Sequence, residues 1–557
     1  MNCISRTIAP AACVFLSGSL FSQEKPASLT GWIYEDASGR SVAARVYIES
    51  EDGTFYFAEP ADANGKAVTY EKKRKDSVEM HTCLSEHPFS AKLPPGTYKI
   101  TAERGHEFLP ATTEVTLKAG GTAEIELRLK RWIHMAERGW FSGETHVHRK
   151  IEELEVVMEA EDLNVAFPLT AWVTDSKKAP VPFLPEKEKS DPPIARILNV
   201  GFNRIVWPLN TEYEIFTVDG KRHTQGAFFV LNHQKPFTQT VPPVGPVFEE
   251  ARIQGAAIDL DKHNWPWTMM LPVVAEGNHL LFELSNNHIW RTKFAFTEWY
   301  PEHKPTYMNI PGSQSYDEEG WVDFGFQSYY ALLNCGFKIR PTAGTASGVH
   351  PVPLGFGRVY VKQEGGDLDF EEWFDGLKSG RSFVTTGPML SITFSEFQPG
   401  SEISEEESDD LDETIEVVGR IESAHEIEKI EIVVNGEILP VETGGPIGSQ
   451  APHSAFVRES VELEGESWVA LRVYCRTPEG RIRFAHTAPV WVEVEDGKPL
   501  LPSLLQAKYL QDRMAGEIQR NKDVLPEEAI AEFEKAFDFY RDLVEKALEA
   551  RKNANNN

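Results

Sequence analysis

The chain has 557 residues, too many for one ordinary core, and that length suggests about three or four domains. Apolar residues make up 41% of it, with 13 Trp, which excludes wholesale disorder. The formal charge is 56 − 85 = −29. That argues against nucleic acid as the main partner and against adsorption to anionic lipid, because both need clustered Lys and Arg.

The N-terminus has a cationic start at Arg6, an apolar run from Ile8 to Phe21 and a polar continuation from Gln23. This is the layout of a secretory signal over residues 1–22, so the mature protein is expected to be exported, periplasmic or extracellular. No later segment reaches about 18 uninterrupted apolar residues, and no membrane insertion is expected. Cys83, Cys335 and Cys475 would remain after cleavage. They are too few and too scattered for a disulfide framework and read as buried free thiols.

From 27 to 130 the signals are β. Trp32–Tyr34, Ala44–Ile48, Tyr98–Ala102 and Ala123–Leu129 alternate or are β-branched, and Leu93-Pro94-Pro95-Gly96 reads as a tight turn. That turn and the strand after it resemble the small transthyretin-like or carboxypeptidase-regulatory-like sandwich. His81 and His87 flank Cys83 and read as surface or loop residues.

Residues 131–397 mix helical and strand patterns. Ile151–Leu163 has helical spacing, and Asn164–Thr170, Gly255–Asp261 and His279–Leu284 read as buried strands. Alternating strands and helices suggest β/α units, whose sites gather at the carboxyl ends of strands. Residues 398–413 form an acidic linker. From 414 to 497 strand patterns return, with Asn435-Gly436 as a hairpin signal, and suit an immunoglobulin-like sandwich. Residues 502–552 carry two apolar stripes, at Leu504–Leu510 and Phe533–Leu548. They predict a helical hairpin that docks on a domain or joins two copies in a homo-oligomer.

Polar residues cluster after the predicted strands, most plainly in Glu144-Thr145-His146-Val147-His148. On a strand, side chains at i and i+2 share a face, so His146 and His148 can offer two imidazoles to one ion. With 16 histidines in the chain, such a pair carries little weight alone. Its surroundings add to it. GWFSGETHVHR (139–149) resembles the opening motif of the CehA/McbA-like branch of the PHP (polymerase and histidinol phosphatase) metallohydrolases. YYALLNCGFKIRPTAGTASGV (329–349), GFGRVYV (355–361) and GLKSGRSFVTTGPML (376–390) resemble later blocks of that branch, in the same order.

The resemblance implies a distorted (β/α)7 barrel flanked by two β-sandwiches, with a divalent-metal cluster that activates water. Under it, His146 and His148 match the first metal motif, His263 a later histidine and Glu283 a strand-end glutamate. The chain departs from the family pattern twice. Thr170-Ala171-Trp172 stands where the family has Thr-Asp-His, and Ala343–Gly348 lacks the family's Asp and His.

The expected site is therefore reduced. His146, His148 and His263, with a carboxylate from Glu161, Asp261 or Glu283, would hold one Zn²⁺ or Mn²⁺ with an open water position. A nearby carboxylate such as Glu283, or His288, would act as general base. Arg149 and Arg358 would bind an anionic substrate, and Trp265 is one of several aromatics suited to a small-molecule or carbohydrate substrate. The function expected is hydrolysis of an ester, amide, carbamate or phosphoester bond. The rival reading is a catalytically inactive relative that binds carbohydrate or another extracytoplasmic partner.

Overall fold

The computed structural model describes residues 25–75, 77–182, 194–261, 265–290, 305–308, 310, 317–409, 413–442, 452–495 and 497–556. Strands from Ala27–Glu35 to Thr122–Arg131 build a five-stranded and a six-stranded sheet around one core containing Leu29, Ile48, Phe89, Tyr98, Ile100 and Leu127. Ala27–Glu35 buries every second residue over most of its length, as a strand with one face on a core must. Gly96 takes φ 159°, and the Tyr98 hydroxyl donates to Pro94 O at 2.7 Å, which closes the Pro-Pro-Gly turn.

The central region is a multi-sheet α/β assembly. Its seven-stranded sheet runs Val181–Pro182, Ala171–Asp175, Thr211–Val218, Lys221–Leu231, Ala257–Asp261, His279–Ser285, Arg340–Ala343. A second, twelve-stranded sheet contains Val165–Pro168, Trp140–Val147, Arg358–Lys362 and Ser382–Thr385 as neighbours. It then continues into Ile482–Thr487, Ser467–Arg476 and Glu426–Val434 through the pairing of Phe383 with Thr487.

The described strands do not form the closed (β/α)7 barrel expected from the resemblance. The two sheets meet where Val147 bridges Ser347, and the chain passes from Val165–Pro168 almost directly into Ala171–Asp175. Asp219 and Gly220 both take positive φ (49° and 74°) and turn the chain back as an antiparallel hairpin between Thr211–Val218 and Lys221–Leu231, in place of a β/α unit.

Helix Phe370–Ser379 packs beneath the twelve-stranded sheet. It is capped by Asp369, which accepts from Glu372 N, and ended by Gly380 at φ 82°. Trp373 Nε1 donates to Phe141 O at 2.9 Å, and its ring lies so near Gly143 that a Cβ there would come within 2.3 Å. Only glycine fits.

A three-stranded sheet (Met389–Phe394, Thr414–Ser423, His453–Glu462) faces the far end of the twelve-stranded one across a core that includes Ile392, Val417, Ile432 and Leu471. Asn435 and Gly436 both take positive φ in the hairpin between Glu426–Val434 and Glu437–Pro440. Glu402, in the acidic stretch, pairs with Lys338 and Arg340.

Helices Leu504–Asn521 and Glu527–Asn556 pack together and onto the central region. Tyr540 donates to Met269 O at 2.7 Å, while Glu532 accepts from Val244 N and Gly245 N at 3.0 and 2.7 Å. Phe533, Ala536 and Tyr540 are buried in this way. The stripes that suggested a homo-oligomer are thus largely covered by the chain's own helix Pro266–Val274 and its surroundings. Cys83, Cys335 and Cys475 are free and buried. Among the described residues no helix is long and apolar enough to cross a membrane.

Candidate metal centre

The strand Trp140–Val147 is buried throughout, between Val165–Pro168 and Arg358–Lys362. His146 and His148 stand at its carboxyl end. Ala346 N donates to His146 O at 2.9 Å and His148 N donates to Ser347 O at 2.8 Å, so the segment after Arg340–Ala343 pins the backbone around both histidines. Their Nε2 atoms lie 3.2 Å apart. Two metal–nitrogen bonds of about 2.0–2.1 Å at the tetrahedral angle would span about 3.3–3.4 Å. The pair is spaced as two donors around one ion.

Each imidazole has a carboxylate beside it. His146 Nδ1 lies 3.1 Å from Glu283 Oε1, and His148 Nε2 lies 3.3 Å from Glu212 Oε2. Glu212 and Glu214 occupy i and i+2 of the strand Thr211–Val218. The register Glu214–Ala227–Asp261 across three strands puts Glu214 and Asp261 at one level, with only the Ala227 methyl group between them. Ligand atoms of His146, His148 and Glu212 lie within 4.8 Å of one another, as do those of His146, Asp261 and Glu283 and those of Glu212, Glu214 and Asp261. All six residues are buried. Buried carboxylates this close repel one another, and a divalent cation offsets that repulsion.

The support around the cluster is tight. A Cβ on Gly344 would fall 2.2 Å from His146 Cβ and 2.5 Å from Glu283 Oε1, so the His146–Glu283 contact requires glycine there. Glu144, two residues before His146, accepts from Thr345 N and Thr345 Oγ1 at 2.7 and 2.5 Å and from Gly355 N at 2.5 Å. Burial nevertheless pushes its carboxyl up to about 8. Asp259 is pushed up to about 7, chiefly by burial and further by Asp261, against the stabilising hydroxyls of Thr145 and Thr342. The rings of Phe229 and Trp172 lie 4.4 Å from His146 and 5.3 Å from His148.

Of the residues singled out from sequence, the structure brings together His146, His148, Asp261 and Glu283. His263 lies outside the described residues. Glu161 is placed elsewhere, because it caps the helix Ile151–Ala160 and its carboxylate pairs with Arg45 of the N-terminal sheets. Arg358 donates to the carbonyls of Gly355, Glu161 and Asp162, where it caps that same helix end instead of facing a substrate. Arg149 lies over the Tyr70 ring at 3.7 Å and bonds Ser347 Oγ at 3.1 Å.

His288 packs against Trp321 and His350 and belongs to none of the ligand groups. Trp265 precedes the helix Pro266–Val274 and packs edge-on to Phe216. Glu212 and Glu214 were not singled out from sequence. Their signal is two carboxylates at i and i+2 within a strand whose other residues are Thr, Tyr, Ile, Phe and Val. Trp172 and Gly348 stand where the family pattern would place ligands. Trp172 covers His148, and Gly348 passes so close to His148 O that a Cβ would come within 2.1 Å.

No family model matches the chain, and no curated protein matches it. A solved structure described as a two-domain protein containing a predicted PHP-like metal-dependent phosphoesterase, from Bacteroides vulgatus ATCC 8482, overlaps it at a TM-score of 0.28 and 10% identity. The overlap covers 64% of this chain and 95% of that one. It is too loose to support any conclusion about this chain.

Proposed function

We propose that the chain is a metal-dependent hydrolase whose centre is formed by His146, His148, Glu212 and Asp261. The observation that carries this reading is the convergence of two imidazole Nε2 atoms, 3.2 Å apart, on buried carboxylates from separate strands. The mixed nitrogen and oxygen donors suit Zn²⁺ or Mn²⁺. A divalent ion held by these residues would supply Lewis acidity and a water of lowered pKa for hydrolysis of an ester, amide, carbamate or phosphoester bond.

The chain's own groups have separate tasks. Glu283 accepts the Nδ1 proton of His146 and so keeps Nε2 as the lone-pair nitrogen. Glu214, level with Asp261 across Ala227, is positioned to take a proton as general base. Phe229 and Trp172 shield the two imidazoles from bulk water.

The finer placement belongs to the same proposal: a divergent PHP-type core of the CehA/McbA-like branch, flanked by β-sandwiches and opened into two sheets joined at Val147 and Ser347. The ordered sequence blocks and the strand-end position of the two histidines support it. Glu212 would then supply a donor in place of those missing at Thr170–Trp172 and Ala343–Gly348. The N-terminal apolar run supports action outside the cytoplasm.

The purified full-length chain is expected to contain Zn or Mn by elemental mass spectrometry and to turn over a chromogenic ester or phosphoester. His148→Ala and Glu212→Gln should lose turnover and the metal equivalent held at this centre. A chain without Zn, Mn or Fe, and with no thermal stabilisation on adding them, refutes the proposal.

A further inference from the structure

A second group of ligating side chains lies where the N-terminal sheets meet the central region. His81 and Cys83 sit at i and i+2 of the strand Ser77–Leu84, both fully buried: Cys83 as expected, His81 contrary to its reading as a surface or loop residue. Glu161, at the end of the helix Ile151–Ala160, joins them: Cys83 Sγ is 4.0 Å from Glu161 Oε1, and ligand atoms of all three lie within 4.8 Å of one another.

The imidazole is held in one orientation. Glu79 Oε1 lies 2.7 Å from His81 Nδ1 and also accepts from the Tyr47 hydroxyl at 2.7 Å, while Glu79 Oε2 accepts from Trp290 Nε1 at 2.6 Å. A carboxylate facing Nδ1 selects the tautomer that leaves Nε2 as a bare lone pair. Among the described residues that buried Nε2 has no hydrogen-bond partner. Buried polar atoms are normally satisfied, and one left open in a fixed direction calls for an explanation. The rings of Tyr47 and Tyr70 flank the imidazole at 5.7 and 5.1 Å and limit its rotation.

We propose that His81 Nε2, Cys83 Sγ and the Glu161 carboxylate form a structural divalent-metal site, separate from the central cluster, that clamps the N-terminal sheets to the central region. Imidazole, thiolate and carboxylate together are a donor set for Zn²⁺. Arg45 bonds both oxygens of Glu161 and also pairs with Glu103, which holds the carboxylate in place as partners of ligating carboxylates do.

Two ligands come from the sheet and one from the helix end, so the ion would link parts of the chain about 80 residues apart in sequence.

Cobalt(II) titration of the full chain tests this, because a thiolate-to-cobalt charge-transfer band reports Cys83. Cys335 and Cys475 lie in other cores. The expected result is a saturable band, lost in Cys83→Ser together with one equivalent of bound metal and with the thermal stabilisation that metal confers. Glu79→Gln should weaken cobalt binding by about 10-fold to 100-fold with the thiol intact, which keeps the test open if Cys83→Ser does not fold. His146→Ala should leave the band unchanged, separating this site from the central one. No band in the unmutated chain, or a band that persists in Cys83→Ser, overturns the proposal.

Discussion

Glu283→Gln is the sharpest probe of the central cluster. Glu283 Oε1 lies 3.1 Å from His146 Nδ1, both groups are buried, and Gly344 leaves just enough space for the contact. A carboxylate acceptor makes the imidazole more basic and holds its tautomer, whereas the isosteric amide can only accept weakly or, flipped, would oppose Nδ1–H. Loss of such an outer partner costs about 10-fold to 100-fold in metal affinity, or about 1.4–2.8 kcal/mol. The substitution changes almost no volume, so thermal stability of the metal-free chain should move little. Competition against a chromophoric chelator measures the affinity directly. Unchanged affinity in Glu283→Gln, with His146→Ala still abolishing binding at this centre, would refute the orienting role. A loss far beyond 100-fold would refute it too, by making Glu283 a ligand.

Asp162 receives Arg104, Arg131 and Arg204 at 3.1, 2.7 and 3.3 Å. Burial alone would raise its carboxyl, but the three guanidinium groups together hold it well below the usual range. Asp162→Asn should destabilise the chain by about 3 kcal/mol in urea unfolding, since it strands buried cations, and Asn tolerates the native φ of 49°. A loss under about 0.5 kcal/mol would place this hub among surface ion pairs. Because the folded pKa is depressed, the Asp162 contribution is present above about pH 4 and is lost as pH falls through the folded value.

His486 is pushed down to about 3 by burial, with Nδ1 on Thr487 O at 2.6 Å and Nε2 facing the Tyr330 hydroxyl at 2.8 Å. The unfolded chain therefore binds a proton that the folded chain refuses, and stability falls as pH drops below about 6.5. Between about pH 7 and pH 5 this group should account for about 2 kcal/mol. Urea unfolding across that range should show a shallower slope in His486→Asn, and an unchanged slope would count against a neutral buried imidazole.

Local pattern was legible in the sequence wherever a short-range rule decides it. Alternation marked the strand Ala27–Glu35, Asn435-Gly436 marked a hairpin, and i, i+2 spacing marked His146 and His148 as a pair. The dipeptide Asp219-Gly220 carries an equally readable hairpin signal, and the chain turns back there between Thr211–Val218 and Lys221–Leu231. Partnership between distant residues was not legible, because it depends on strand register. Glu214 meets Asp261 only because Ala227 pairs with both, and a slip of one residue would turn either side chain to the other face.

Glu161 looked like a ligand for the His146 centre, yet the end of its helix points the carboxylate at Arg45 and Cys83. Arg358 looked like an anion binder, yet the carbonyls of Glu161 and Asp162 at a helix end and of Gly355 in a loop claim its guanidinium. Composition and periodicity thus determined the kinds of element and the first two candidate ligands. Only the packing of two sheets and a helix end decided which charges are buried together, because burial makes those charges costly unless each finds its partner.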